Sequence, residues 1–158
     1  MTTVTTSVAG HAHPTHALWA PSAAANWSIP FTPAFGSYLQ MLNWQELGQA
    51  DKAAESRKWF YASVFMLASY TLASMIVPMS EATELGLRLV AVAYLATWYF
   101  ASGREQIAYV RTEFSGEYSH KRWGKPLLYA VCIVASLYAA TLVFGFAYGI
   151  LQALLTGA

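Results

Sequence analysis

Polar and apolar positions in this 158-residue chain are sorted into long blocks rather than interleaved. Between Trp59 and Met79 there are 21 residues without a charge, between Leu89 and Gly103 another 15, and from Leu127 to Ala158 there are 32. An uncharged apolar helix of about 20 residues crosses the roughly 30 Å hydrocarbon core of a bilayer. The blocks therefore predict an all-α membrane protein with three transmembrane helices, at about 59–79, 87–104 and 127–155, within a membrane domain over 49–158. An amphipathic soluble fold would need charges opposite each apolar stripe, and these blocks have none.

Ahead of the first block, Phe35, Tyr38, Leu39 and Leu42 recur at helical spacing, with Gln40, Asn43 and Gln45 at other positions. This pattern predicts a short amphipathic interfacial helix over 29–48, with Pro33 in its first turn and Gly48 as its C-terminal cap. From Pro33 to Gly48 such a helix is only about 21 Å long, too short for a fourth span. Residues 1–28, rich in Thr, Ala, Ser and Pro, read as a flexible tail. They lack the basic start and apolar core of a cleavable signal, so the first span is expected to direct insertion.

Local signals place the remaining boundaries. A helix is expected to start near Ala50 and run into span one, which Pro78 ends. The short connection after it makes spans one and two an antiparallel pair. Glu81, Thr83 and Glu84 suit the first turn of the next helix, where the dipole favours negative charge. Span two is expected to outlast the membrane and reach Phe114, with Ser115-Gly116 as the break. Pro126 then takes the first helical position of span three.

Charge orients these elements. Of the nine basic residues, Lys52, Arg57 and Lys58 precede span one, and Arg104, Arg111, Lys121, Arg122 and Lys125 lie between spans two and three. Only Arg88 falls near the other connection. Basic residues in short loops stay on the cytoplasmic side, which predicts a cytoplasmic N-terminus and an exported C-terminus. Trp59, Tyr61, Trp98, Tyr99 and Trp123 cluster towards the same side, where interfacial aromatics belong. The chain is 56% hydrophobic and 11% charged with a net charge of +1, so no basic field points to nucleic acid.

Candidate chemistry is sparse. His11, His13 and His16 have a spacing that could reach one metal ion, but a polar tail without Cys or carboxylates reads as no metal site. His120, between Tyr118 and Lys121, reads as a loop residue rather than a haem ligand. Cys132 stands alone in the third block and reads as a small apolar residue. No ionisable group occupies the middle of a span, as a pump or ion-coupled transporter normally needs. Ser63, Ser69, Thr71, Ser74, Thr97, Ser136 and Thr141 are expected to bond to backbone or across helices rather than line a pore. No phosphate-binding loop, zinc-protease helix or nucleophile elbow occurs. The expectation is a protein without catalytic, cofactor-binding or metal-binding residues, and not an enzyme.

Two features point instead to partners besides the lipid bilayer. Thr141, Gly145, Gly149, Ala153 and Gly157 fall every fourth residue, a small-residue stripe of the kind that lets membrane helices approach. It could meet the other spans or a second copy in a homo-oligomer. Arg104, Glu105, Arg111, Glu113 and Glu117 alternate with Tyr109, Phe114, Tyr118 and Trp123, a composition that suits a protein interface. With Phe35, Leu39 and Trp44 of the interfacial helix, Arg104, Glu105, Tyr109, Arg111 and Trp123 form a candidate cytoplasmic docking face.

Two motif blocks carry a resemblance. The first is Phe31-Thr-Pro-Ala-Phe-Gly through Asn43-Trp-Gln-Glu-Leu-Gly48, followed by an Ala-rich charged stretch leading to Trp59. The second is Arg104-Glu-Gln-Ile-Ala-Tyr-Val, then Tyr118 and Lys121-Arg-Trp-Gly-Lys-Pro-Leu127. Together they resemble a group of small, uncharacterised bacterial multi-span inner-membrane proteins. That resemblance implies a bacterial inner-membrane location and supplies no activity. The reading is an accessory or scaffold protein, with a small homo-oligomeric pore of holin or immunity type, or a transporter accessory subunit, as alternatives.

Overall fold

The computed structural model describes residues 16–76, 80–115 and 117–156. A two-residue strand, β1 (Ala17–Leu18), leads into α1 (Pro21–Glu46) and α2 (Ala50–Ile76). Then come α3 (Glu81–Trp98), a π-helical turn (Tyr99–Gly103) and α4 (Arg104–Phe114), which run as one 34-residue helix. Strand β2 (Ser119–His120) pairs in parallel with β1, and α5 (Gly124–Thr156) closes the chain. The all-α expectation holds, apart from that minimal bridge.

Helix α1 departs from the sequence reading, and the departure has a local cause. It begins at Pro21, not at residue 29, because Pro21 occupies the first helical position, where a missing N–H costs nothing. Residues 16–28, read as tail, form β1 and the first part of this helix. Pro30 and Pro33 flank a break at Thr32, whose φ of 67° and ψ of 163° are non-helical.

The chain folds back on itself there. In a continuous helix residues 19 and 43 would lie about 36 Å apart, yet the Trp19 N–H donates to Asn43 Oδ1 at 3.0 Å. Gly36 likewise faces Ser28 across the break. So α1 is a hairpin of two antiparallel half-helices, Pro21 to Phe31 and Pro33 to Glu46, rather than one interfacial helix. Ala24, Ser28 and Gly36 are the small residues that let the halves approach.

The other boundaries follow the sequence signals closely. Gly48 adopts φ +70° and donates to Gln45 O, ending α1 as a cap. Helix α2 starts at Ala50 and lies along the returning half of α1, with Tyr38 against Phe60 at 5.5 Å. Ser80 caps α3 by accepting from Thr83 N, with Glu81 and Glu84 in its first turn. Phe114 ends α4, and Ser115 turns left-handed (φ 49°). Pro78 and Gly116 lie outside the described residues. Helix α5 starts two residues before Pro126.

Among the described residues two helices are long and apolar enough to cross a membrane, Glu81–Phe114 and Gly124–Leu155, rather than three. Helix α2 falls short among its described residues. Asp51, Lys52, Glu55, Arg57 and Lys58 fill its first turns, and the uncharged stretch begins only at Trp59. The part of its uncharged run over 77–79 lies outside the described residues. The two qualifying helices are not core helices of a soluble fold, since only 11% and 6% of their apolar windows are buried. Every residue from Tyr138 to Leu155 is exposed. Ser63, Thr71, Ser74, Thr97, Ser136 and Thr141 each donate to a carbonyl three or four residues back, as expected of hydroxyls in apolar surroundings.

The tight α1 hairpin can be probed at Gly36. A Cβ there would collide with Ser28 Oγ and sit 2.6 Å from the Trp98 ring. Gly36→Ala is expected to destabilise the fold by about 1–3 kcal/mol, seen as a lower Tm in mild detergent. Gly86→Ala, where a Cβ meets nothing within 4 Å, is the control. Equal Tm values for the two variants would rule out this packing.

Candidate functional site

The best-packed region lies at the charged end of the helices, and its centre is polar. Gln40 and Asn43 sit one turn apart on the returning half of α1, and Ser102 and Gln106 one turn apart across the π turn and α4. All four are at most 3% exposed. Gln40 Nε2 donates to Ser102 O at 2.7 Å, and Ser102 Oγ donates to Gln40 Oε1 at 3.3 Å. Gln106 Nε2 donates to Gln40 O at 2.9 Å. Asn43 Nδ2 donates both to Gln106 Oε1 (3.1 Å) and to Trp19 O (2.8 Å). With the Trp19 N–H donated to Asn43 Oδ1, one asparagine amide satisfies both backbone groups of Trp19.

These amides are the inward face of a helix whose inward face was expected to be apolar. Gln40 and Asn43 read from sequence as the polar side of an amphipathic helix, but they are enclosed, while Tyr38 of the expected apolar side is exposed. A buried amide without a partner is costly, so the network holds only because each group finds its complement. The available signal was the one-turn spacing of Gln40 with Asn43 and of Ser102 with Gln106, two polar pairs each beside an apolar stretch.

The segment before α1 is fastened beside this network. Ser119 N donates to His16 O and Lys121 N to Leu18 O, which makes the β1–β2 bridge. Leu18 is fully buried. Trp19 Nε1 donates to Arg122 O at 3.2 Å, and Lys121 Nζ lies 4.6 Å over the Trp19 ring while pairing with Glu46 at 3.1 Å. His16 sits edge-on to Phe114, 5.6 Å between ring centres. His11 and His13 lie outside the described residues, so the three-histidine spacing is not placed. His120 stacks on Tyr118.

The candidate docking residues divide by depth. Leu39 and Trp44 are buried, with Trp44 against Tyr109 at 5.0 Å, so they support a surface rather than form one. Arg104 and Arg111 are exposed, while Phe35, Tyr109 and Trp123 are partly covered. Glu105 pairs with Lys52 of α2. Its hydrogen bond and charge raise the Lys52 pKa above its ordinary value against the smaller opposing effect of desolvation. Both partners are about 40% exposed, so the pair registers the helices and stabilises them little. In the stripe, Gly145 and Gly149 have nothing within 4 Å of where a Cβ would stand, and Thr141 and Ala153 are exposed too. Gly157 lies outside the described residues. The stripe therefore does not meet the chain's other helices.

Ala24, Gly36, Gln40, Trp98, Gly103 and Gln106 line a small, partly open pocket of about 10 Å³, room for a single water. No protein-family model, curated protein or solved structure matches the chain.

The amide network makes a sharp energetic prediction. Gln106→Leu leaves one Asn43 Nδ2 hydrogen without an acceptor, at about 1–3 kcal/mol, and removes the second donor to Gln40 O. A double-mutant cycle with Asn43→Ala, read by thermal unfolding in detergent, should give a coupling of about 0.5–3 kcal/mol. Strict additivity would mean that the two amides do not interact.

Proposed function

We propose that this chain is a multi-pass inner-membrane accessory or scaffold protein without catalytic activity, offering its charged helix end to a protein partner. The observation that carries this reading is the separation of surfaces. Long apolar helices with little protein cover extend from a well-packed, polar-cored unit, and the exposed Arg104 and Arg111 stand beside that unit. Lipid is the environment that makes such exposed apolar helices stable, because uncovered apolar surface on that scale is not left in water.

On this reading α2, α3 and α5 are three spans, the N-terminus is cytoplasmic and the C-terminus is periplasmic. The basic residues near α1, α4 and β2 support that orientation. The docking face is narrower than the sequence alone suggests: Arg104, Arg111 and the outer edges of Tyr109 and Trp123, braced from within by Leu39 and Trp44.

Photo-crosslinkers at Tyr109 and Arg111 test the face in cells. The expected result is a protein adduct of one defined mass that disappears with Arg104→Glu. Adducts with lipid alone would overturn the docking reading. Reporter fusions test the topology separately, and a C-terminus in the same compartment as the N-terminus would overturn it.

The uncovered stripe on α5 favours a second reading, a homo-oligomer assembled through Thr141, Gly145, Gly149 and Ala153. Since a Cβ at Gly145 or Gly149 meets nothing in the monomer, the double change Gly145→Leu, Gly149→Leu should leave monomer stability unchanged and abolish oligomers in mild detergent. A native protein that is already monomeric there would remove this reading.

A further inference from the structure

We propose that the α1 hairpin is a half-membrane wedge, inserted tip-first among the acyl chains of the leaflet on the basic side. The inference rests on the membrane reading above and adds a lipid contact to a segment that is not a span.

Its depth follows from the pairing. The returning half of α1 lies antiparallel to the α3–α4 helix: Asn43 meets Gln106, Gln40 meets Ser102, and Gly36 faces Trp98. Continuing that register puts the Thr32 break near the level of Tyr94, about ten residues beyond Arg104. On α2 the pairing of Tyr38 with Phe60 puts it near Phe65, about seven residues beyond Lys58. At about 1.5 Å per residue, the tip lies roughly 10–15 Å past the basic layer, on the side of the apolar helices. One leaflet's hydrocarbon is about 15 Å deep.

The chemistry of the tip fits that depth. No Asp, Glu, Lys or Arg occurs before Glu46. Trp27 and Ile29 are 40% and 70% exposed, and Trp27, Phe31 and Phe35 stack along the hairpin with ring centres 5.8 and 5.5 Å apart. This apolar surface is continuous in level with exposed Tyr61 and Phe65 of α2 and with Phe100. A bare backbone N–H is costly in hydrocarbon, and the bend carries fewer of them. Pro30 and Pro33 carry no N–H, and the hydroxyls of Ser28 and Ser37 donate within their own helices.

The test uses the full chain carrying Cys132→Ser, reconstituted in phosphatidylcholine/phosphatidylglycerol vesicles. An environment-sensitive fluorophore is placed at Ile29→Cys, with Trp27→Cys as a second site on the same tip. Leu142→Cys serves as the span control and Arg111→Cys as the aqueous control. The expected result is a blue-shifted Ile29 probe, quenched several-fold more by lipids carrying a nitroxide on the acyl chain than by aqueous iodide. A probe at 29 that iodide quenches while 142 stays lipid-quenched would overturn the wedge and leave the spans intact. Iodide quenching at both 29 and 142 would overturn the membrane reading itself. A disulfide between Ile29→Cys copies, with no lipid quenching, would assign the tip to a second copy and likewise overturn the wedge.

Discussion

Four buried side chains hold this architecture together: Gln40, Asn43, Ser102 and Gln106. Each hydrogen bond between them joins parts of the chain that are far apart in sequence, and Asn43 adds the segment before α1. In an apolar surrounding such bonds are directional in a way that packing is not. A helix pair held by leucines can slide or rotate by part of a turn with modest loss, whereas a displaced amide leaves a bare donor or acceptor. The network therefore sets the register of the α1 hairpin against the α3–α4 helix, and the hairpin's depth follows from that register.

The arrangement also explains why packing is uneven. Near the network, small residues let backbones approach, as at Ala24, Ser28 and Gly36. Further along, packing thins, and every residue of α5 from Tyr138 to Leu155 is exposed. Among the described residues α2 and α3 are tied there by Ser63 with Tyr94, 3.0 Å apart, and by Trp59 against the Tyr94 ring. A chain that spends its directional interactions at one end leaves the other end open to lipid or to neighbouring helices.

Much of this was legible in the sequence, and what was not has a physical reason. The start of α2 at Ala50, the Gly48 cap, the acidic first turn of α3 and the end of α4 at Phe114 all depend on local residue chemistry, which sequence displays. The α1 hairpin depends on a break that two prolines also permit at a helix start, and Pro30 and Pro33 read as a beginning when they mark a fold-back. Leu39 and Trp44 looked like surface because helical spacing gives a face without saying what covers it. Gln40 and Asn43 looked outward for the same reason, since their partners lie more than 60 residues away. The pairing of β1 with β2 spans about 100 residues and leaves no local trace.

That last pairing has a consequence for biosynthesis. His16, Leu18 and Trp19 are held by Ser119, Lys121 and Arg122, which leave the ribosome roughly a hundred residues later. The clasp therefore cannot close until α3 and α4 have been made and the loop beyond them has emerged. Until then the Asn43 amide lacks its Gln106 partner, and the segment before α1 has no strand to pair with. Closure thus marks the moment at which the chain's early and late portions have both arrived, a checkpoint written into the order of translation.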